Sequence, residues 1–387
     1  MFLFLRRPSM GKKDKFSKAN LNRLIFQVNH EDEAISLKAK QILYKIYPEA
    51  LTTKEFYSLQ YLPSHHIRGI TKLKFHPYDN LLILGDYRGV ISFWETNSFE
   101  CILERQAHQT IITNLDISSD GKFLATSGMN KISIWEIQTG KHICDYTVKR
   151  RNVWKLYWGY KDNFLVYCDA NINRDGSREV EETNQVHIID IETGRYIKTF
   201  KRHIDKRTIF NFAYCPQTNM LTTARFQFKN NRGGCVEVWD LLGEKLLHIL
   251  RFKDYYISGM AFNHKGTKLA TSHKYACFGE VKLWDLNKNC DDDKRCLKII
   301  NPEEQSFSTA FTKDDKYLLT AGGYHYNTVG IWELATQKCV YRFPGHGAGV
   351  YHAAFNSDAS KIAFTSNNPA SYIQISNNFS VRICTKL

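Results

Sequence analysis

No stretch of this 387-residue sequence approaches the roughly 20 consecutive apolar residues a membrane-spanning helix needs. Met1-Phe2-Leu3-Phe4-Leu5 is too short for a signal-peptide core, and its Arg6-Arg7 pair follows the apolar run instead of preceding it. Ten cysteines are present but no Cys-x-x-Cys pair. Most, such as Cys144, Cys168, Cys235 and Cys339, fall in strand-like segments, which reads as reduced core thiols and points to a cytoplasmic setting. Cys290 and Cys296 flank a charged loop with no histidine at ligand spacing, which argues against zinc. Catalytic signatures are missing too: there is no Walker loop, no Gly-x-Ser-x-Gly and no His-Glu-x-x-His. Gly345-His346-Gly347-Ala348-Gly349 joins two strand-like segments and opens no helix, so it is no phosphate cradle. Asp291-Asp292-Asp293 runs straight into Lys294-Arg295, as a solvated loop does and a calcium loop does not. The expectation is a protein that is not an enzyme and needs no cofactor or metal.

What the chain does have is a recurring tryptophan followed by an acid. Trp94-Glu95, Trp135-Glu136, Trp239-Asp240, Trp284-Asp285 and Trp332-Glu333 each close a short apolar strand, as in Val90-Ile91-Ser92-Phe93-Trp94. Ile189-Asp190 and Ile375-Ser376 hold the same place without the indole. Positions 94, 135, 189, 239, 284, 332 and 375 step by 41, 54, 50, 45, 48 and 43 residues, which makes seven units. Ahead of each marker lie an apolar strand, a polar turn such as Ser118-Ser119-Asp120-Gly121-Lys122, and a second strand such as Phe123-Leu124-Ala125-Thr126-Ser127. After it come a turn and a fourth strand, as in Lys338-Cys339-Val340-Tyr341-Arg342-Phe343. Such a unit cannot bury its own apolar faces and must stack on copies of itself. Short strands with turn residues at fixed offsets predict four-stranded antiparallel blades.

These residues resemble the WD-repeat β-propeller family from about Glu55 to the C-terminus. The resemblance implies an all-β fold, a seven-bladed β-propeller of four-stranded antiparallel blades over residues 55–387, and a non-catalytic scaffold that binds proteins. The family's Gly-His is kept at Gly345-His346 and weakened at His65-His66, Ala107-His108 and Arg202-His203. Its turn aspartate is replaced by Arg88, Phe278 and Tyr326, with Asn130 the nearest substitute in the second unit. The His–Ser/Thr–Asp–Trp network is therefore incomplete, and stability must rest more on apolar packing between blades. In this family an N-terminal strand completes the last blade and ties the termini together. Glu55-Phe56-Tyr57-Ser58-Leu59-Gln60-Tyr61 fits that part, with Ser380-Val381-Arg382-Ile383-Cys384 competing for the slot. The five marker tryptophans are expected between blades, in the core.

Residues 1–54 read as a basic, partly disordered extension with one or two short helices. Arg6, Arg7, Lys12, Lys13, Lys15, Lys18 and Arg23 against Asp14 give +6 of the net +14 within the first 28 residues. Asn29 can cap a second helix whose first turn carries Glu31, Asp32 and Glu33; Ile35, Ala39, Ile42, Leu43 and Ile46 recur at helical spacing up to Pro48. The basic balance favours acidic partners on electrostatic grounds. An alternative reading is nucleic-acid or anionic-lipid binding through the basic tail and surface.

In a propeller the loops after the second and fourth strands share one face. There the sequence gathers Lys149, Arg150, Arg151, Arg202, Lys206 and Arg207 from interblade loops, and Arg225, Phe226, Lys229, Arg232, Lys274, Tyr275, Tyr324 and Tyr326 from loops between second and third strands. Arginine and tyrosine combine a large contact area with a directional polar end, as binding hot spots require. The face is expected to recognise one or more proteins with acidic character at the contact, and no small-molecule substrate.

Overall fold

A computed structural model describes residues 57–61, 69–170, 185–200, 209–226, 234–252, 256–275, 278–287, 296–300, 306–322, 329–343, 350–366 and 380–386. The extension over 1–54 and its expected helices lie outside these residues. Strand β1 (Tyr57–Tyr61) comes first, followed by the hairpin series β2 (Ile70–Phe75), β3 (Leu81–Asp86), β4 (Val90–Glu95) and β5 (Cys101–Gln106). Next are β6 (Asn114–Ile117), β7 (Phe123–Ser127), β8 (Met129–Glu136), the long β9 (Lys141–Trp158), β10 (Phe164–Ala170), β11 (Gln185–Asp190) and β12 (Tyr196–Phe200). Then come β13 (Ile209–Cys215), β14 (Met220–Phe226), β15 (Gly234–Asp240), β16 (Lys245–Phe252), β17 (Tyr256–Phe262), β18 (Lys268–Tyr275), β19 (Phe278–Asp285) and β20 (Cys296–Ile300). The series ends with β21 (Ser306–Phe311), β22 (Tyr317–Gly322), β23 (Val329–Glu333), β24 (Cys339–Phe343), β25 (Val350–Phe355), β26 (Lys361–Ser366) and β27 (Ser380–Lys386). Among the described residues the only helical element is one 3-10 turn, Tyr160–Asp162.

Pairing is antiparallel throughout, as short connections between successive strands dictate. The strands form six sheets, not the seven expected. Five have four strands; the sixth runs β12-β11-β10-β9-β8-β7-β6. The cause is β9, eighteen residues long. Lys141 to Thr147 pair with β8, and Val153 to Trp158 pair with β10, so one continuous strand serves two expected units. Val148-Lys149-Arg150-Arg151-Asn152 contains neither glycine nor proline to break the ladder. Lys149, Arg150 and Arg151 accordingly lie within a strand and not in the interblade loop expected for them.

The terminal sheet has the order β1-β27-β26-β25. Tyr57 opposes Lys386 and Tyr61 opposes Arg382, so the N-terminal strand takes the outermost place. Ser380–Lys386 sits third, where Tyr372 to Ile375 were expected; those residues lie outside the described ones. The two terminal segments therefore lie side by side in one sheet.

Alternation within each strand sends successive side chains to opposite neighbours. Leu82 and Leu84 of β3 pack with Leu73, Trp94 and Ala363 on one side; Ile83, between them, joins Ile91, Phe93, Leu115, Leu124 and Trp135 on the other. This two-sided burial explains why second strands read as unbroken apolar runs such as Leu81-Leu82-Ile83-Leu84. The pattern repeats around the molecule: Val166, Val186 and Ile188 meet Phe212 and Leu221, and Ala270, Val281 and Leu283 meet Leu318 and Trp332. Leu319, Val329 and Ile331 meet Ile362 and Phe364 of the terminal sheet. Each buried Val, Leu, Ile or Phe among them contributes about 1.5–3 kcal/mol. Closure adds a polar tie, since Lys361 Nζ on β26 donates to Thr96 Oγ1 at 3.0 Å and Thr96 O at 3.2 Å.

Trp94, Trp135, Trp284 and Trp332 are buried, whereas Trp239 is half-buried against the cluster containing Phe212 and Leu221. The indole N–H groups are satisfied within the sheets: Trp135 Nε1 donates to Thr126 Oγ1 at 3.1 Å, Trp284 Nε1 to Thr271 Oγ1 at 2.8 Å and Trp332 Nε1 to Thr320 Oγ1 at 2.9 Å. In the second unit His108 Nε2 reaches Thr126 Oγ1 at 3.0 Å, and in the fifth His273 Nε2, from the second strand itself, reaches Thr271 Oγ1 at 2.7 Å. Burial pushes these imidazoles down, to about 4 for His108 and about 3 for His273, so both are neutral at pH 7. Asn130, the expected stand-in for the turn aspartate, is exposed with φ 66°. In the first unit the turn is held by Asp86, whose Oδ1 accepts from Arg88 N and Val90 N, both at 2.8 Å. Thr126→Val strips the partner from both His108 and Trp135; we expect a loss of about 1–3 kcal/mol in urea unfolding, against little change for Thr126→Ser.

Candidate functional site

The candidate site is the end of the sheets where second strands finish and first strands begin. Arg225 and Phe226 close β14, paired with Cys235 and Gly234, and Ile209 at the start of β13 lies opposite Arg225. Lys274 and Tyr275 close β18, paired with Gly279 and Phe278, and Tyr256 at the start of β17 lies opposite Lys274. Lys149, Arg150 and Arg151 fall just before Asn152, which pairs with Ala170 at the end of β10. Strand polarity thus sets the backbones of these residues at the same end of their sheets. Arg202, Lys206, Arg207, Lys229, Arg232, Tyr324 and Tyr326 lie outside the described residues.

The same end carries side chains that the sequence reading passed over. Tyr87 is 47% exposed, in the turn between second and third strands of the first unit, and Met129 is 42% exposed, at the start of the third strand of the second. Met129 pairs across with Asn152, directly beside the Lys149–Arg151 run. Arg88 sits next to Tyr87, its guanidinium Nε 3.2 Å from the Asp86 carboxylate and its side chain more than half exposed. An exposed tyrosine or methionine at a strand end gives no periodic signal, because only its place in the repeat sets it on this rim.

The base of the long segment 171–184 is held by a buried ionisable pair. Asp169 Oδ2 lies 2.9 Å from His187 Nε2, both residues essentially without solvent contact, and His187 Nδ1 reaches Thr199 Oγ1 at 2.9 Å. Asp169 Oδ1 also accepts from Gln185 N at 3.4 Å, so one side chain bridges the strands that leave and re-enter around that segment.

A second polar feature runs round the inner edge of the sheets. The first strands neighbour one another, β2 with β6 and β25, β13 with β17, and β17 with β21, and Tyr157 of β9 packs edge-on against Phe212 of β13. At one register level, Lys72 pairs with Gly85, Asn114 with Ser127, Lys155 with Cys168 and Asn211 with Ala224. Gly259, Ser308 and His352 hold the same level in the remaining first strands. Several reach forward to the next first strand: Asn114 Nδ2 to Trp154 O at 3.4 Å, Lys155 Nζ to Phe212 O at 2.9 Å, Asn211 Nδ2 to Ser258 O at 3.0 Å and Ser308 Oγ to Ala353 O at 3.4 Å. Lys72 Nζ lies 2.8 Å from His352 Nε2. Burial pushes the Lys155 ammonium down to about 7 and that of Lys72 to about 8, and it holds His352 well below the usual histidine range. One level along, Lys74 and Asp116 neutralise each other at 2.6 Å. Among the described residues no three His, Cys, Asp or Glu side chains gather as a metal site would require.

Stacked four-stranded antiparallel sheets with a first-to-last contact define an all-β propeller. A family model described as "WD domain, G-beta repeat" matches residues 99–136 and 337–368, which cover β5 to β8 and β24 to β26. The chain is also 21% identical over 285 residues to apoptotic protease-activating factor 1 of Rattus norvegicus, a match covering 71% of this chain and 20% of that protein. The chain therefore spans about a fifth of that relative's length. Residues 99–136 and 337–368 thus match WD repeats, and the chain is similar to WD-repeat proteins in its propeller fold.

Proposed function

We propose that this chain is a non-catalytic protein-interaction scaffold whose propeller, spanning 55–387, engages an acidic partner or peptide through the rim described above. WD-repeat propellers generally serve as scaffolds, which favours this reading. The observation that carries the reading is local. Exposed Met129 lies across from Asn152, beside three consecutive bases, with Tyr87 and Arg88 on the same end of the neighbouring sheet. Adaptable apolar surface beside clustered positive charge suits an acidic segment with an apolar anchor. We read the ring as seven blades, two of them fused through β9. The division of β9 between β8 and β10 supports this, as do the apolar cores between successive units. A cytoplasmic setting is part of the same proposal.

Reversing three charges at once tests it. Lys149→Glu, Arg150→Glu and Arg151→Glu together should weaken binding to an Asp/Glu-rich peptide selected against the wild type by at least about tenfold at low salt. The unfolding midpoint should shift little. Unaltered affinity refutes the assignment of this rim, and retention on heparin or anionic vesicles in place of the peptide favours the nucleic-acid or lipid alternative.

A further inference from the structure

The polar level at the inner edge of the sheets is unbalanced. Lys72 and Lys155 bring two ammonium groups to one register level, and the groups facing them there are a histidine, two asparagines, a serine and a glycine. The carboxylate nearest in sequence register, Asp116, is occupied by Lys74 at 2.6 Å and by Trp158 N at 2.9 Å. Among the described residues neither Lys72 nor Lys155 makes an ion pair: one meets the His352 ring and the other the Phe212 carbonyl. Both lysines are half-buried, so solvent reaches them although protein surrounds them. A desolvated charge without a counter-charge is costly, and a fold retains one where something else supplies the opposite sign.

A second imbalance lies at the same level. Asn211 donates to Ser258 O at 3.0 Å, yet its Oδ1 is buried with no hydrogen-bond partner among the described residues. Asn211 adjoins Phe212, whose carbonyl anchors Lys155. The level therefore offers two cationic donors and one vacant acceptor. Chloride or sulfate answers the positive charge but brings no hydroxyl for the acceptor. An anion that also carries a hydroxyl answers both.

We propose that this level of the propeller axis, centred on Lys72, Lys155 and Asn211, is a binding site for inorganic hydrogen phosphate. The ammonium groups contact its oxygens and its hydroxyl donates to Asn211 Oδ1. Binding there links first strands of three different units, so the ion acts as a stabilising ligand of the closed ring. Its position inside the ring separates it from the rim proposed for protein contact.

Thermal unfolding of the full chain at about pH 6.0, below the lowered values of both lysines, tests the site. Inorganic phosphate up to 20 mM should raise the midpoint saturably, by at least about 3 °C. Sulfate at matched ionic strength should give less than half that shift. Lys72→Met with Lys155→Met should abolish the phosphate-specific part while leaving the midpoint without phosphate equal or higher, because an unpaired charge has been removed. A shift equal for both anions, or one retained in the double variant, overturns the proposal. Equilibrium dialysis of the wild type with labelled phosphate gives an answer even if the variant fails to fold. About one ion per chain supports the site, and none bound overturns it.

Discussion

Asp169→Ala should destabilise the protein by about 3–5 kcal/mol, the cost expected when one member of a buried ionisable pair is deleted. His187 then keeps Thr199 on one ring nitrogen and loses the carboxylate on the other, where both residues are buried. Gln185 N loses its acceptor as well. Equilibrium urea unfolding measures the loss. Asp169→Asn, which keeps an acceptor oxygen of the same shape, should give up clearly less. If alanine and asparagine cost the same small amount, the pair is not what fixes the base of the 171–184 segment. Amide exchange should show β10 and β11 loosening first at that end.

The second large effect is expected at Gly89. Its φ of 82° lies in the region side chains avoid, and a methyl group there would sit 2.0 Å from His108 O and 2.4 Å from Thr110 O. Both obstacles are backbone, and the Gly89 carbonyl is itself fixed by Ala107 N at 2.9 Å and His108 N at 3.0 Å. Relief would require the turn to abandon those bonds. The conformational penalty of about 1–2 kcal/mol and an overpacking penalty of about 1–3 kcal/mol together predict that Gly89→Ala lowers stability by about 2–5 kcal/mol. Alanine at the exposed neighbour Arg88 should shift the unfolding midpoint by far less. Equal effects at the two positions would contradict the geometry.

Much of the fold was legible because the repeat is written in residues with a strong local physical role. A tryptophan before an acid, an apolar run and a polar turn recur together, and the N–H of Trp135, Trp284 and Trp332 meets a threonine on the neighbouring strand while that of Trp94 meets Ser92 of its own. The sheet count was not legible, since it depends on Val148 to Asn152 continuing as a strand, and nothing in that run forces or forbids a turn. The last unit misled for a related reason. Tyr372 to Ile375 and Ser380 to Lys386 alternate equally well, and only pairing of Ile362 with Cys384 selects the second. The rim was legible as a set of loops but not as a set of contacts. Tyr87 and Met129 join it through topology alone. The inner polar level was not legible, because Lys72 and Lys74 on either side of Leu73 carry no sign of which face the ring will enclose. That face became an enclosed axis only when the ring closed.

The unbroken β9 and the pairing of β1 with β27 make the circle mechanically unequal. On one side two units share a covalent spar, so neither can peel away alone. Elsewhere on the circumference, the N-terminal strand adds a five-residue latch held along one edge, beside the Lys361–Thr96 tie. Force applied through the residues that precede Tyr57 pulls on that latch directly, and the molecule should spring open there as a bracelet does at its clasp.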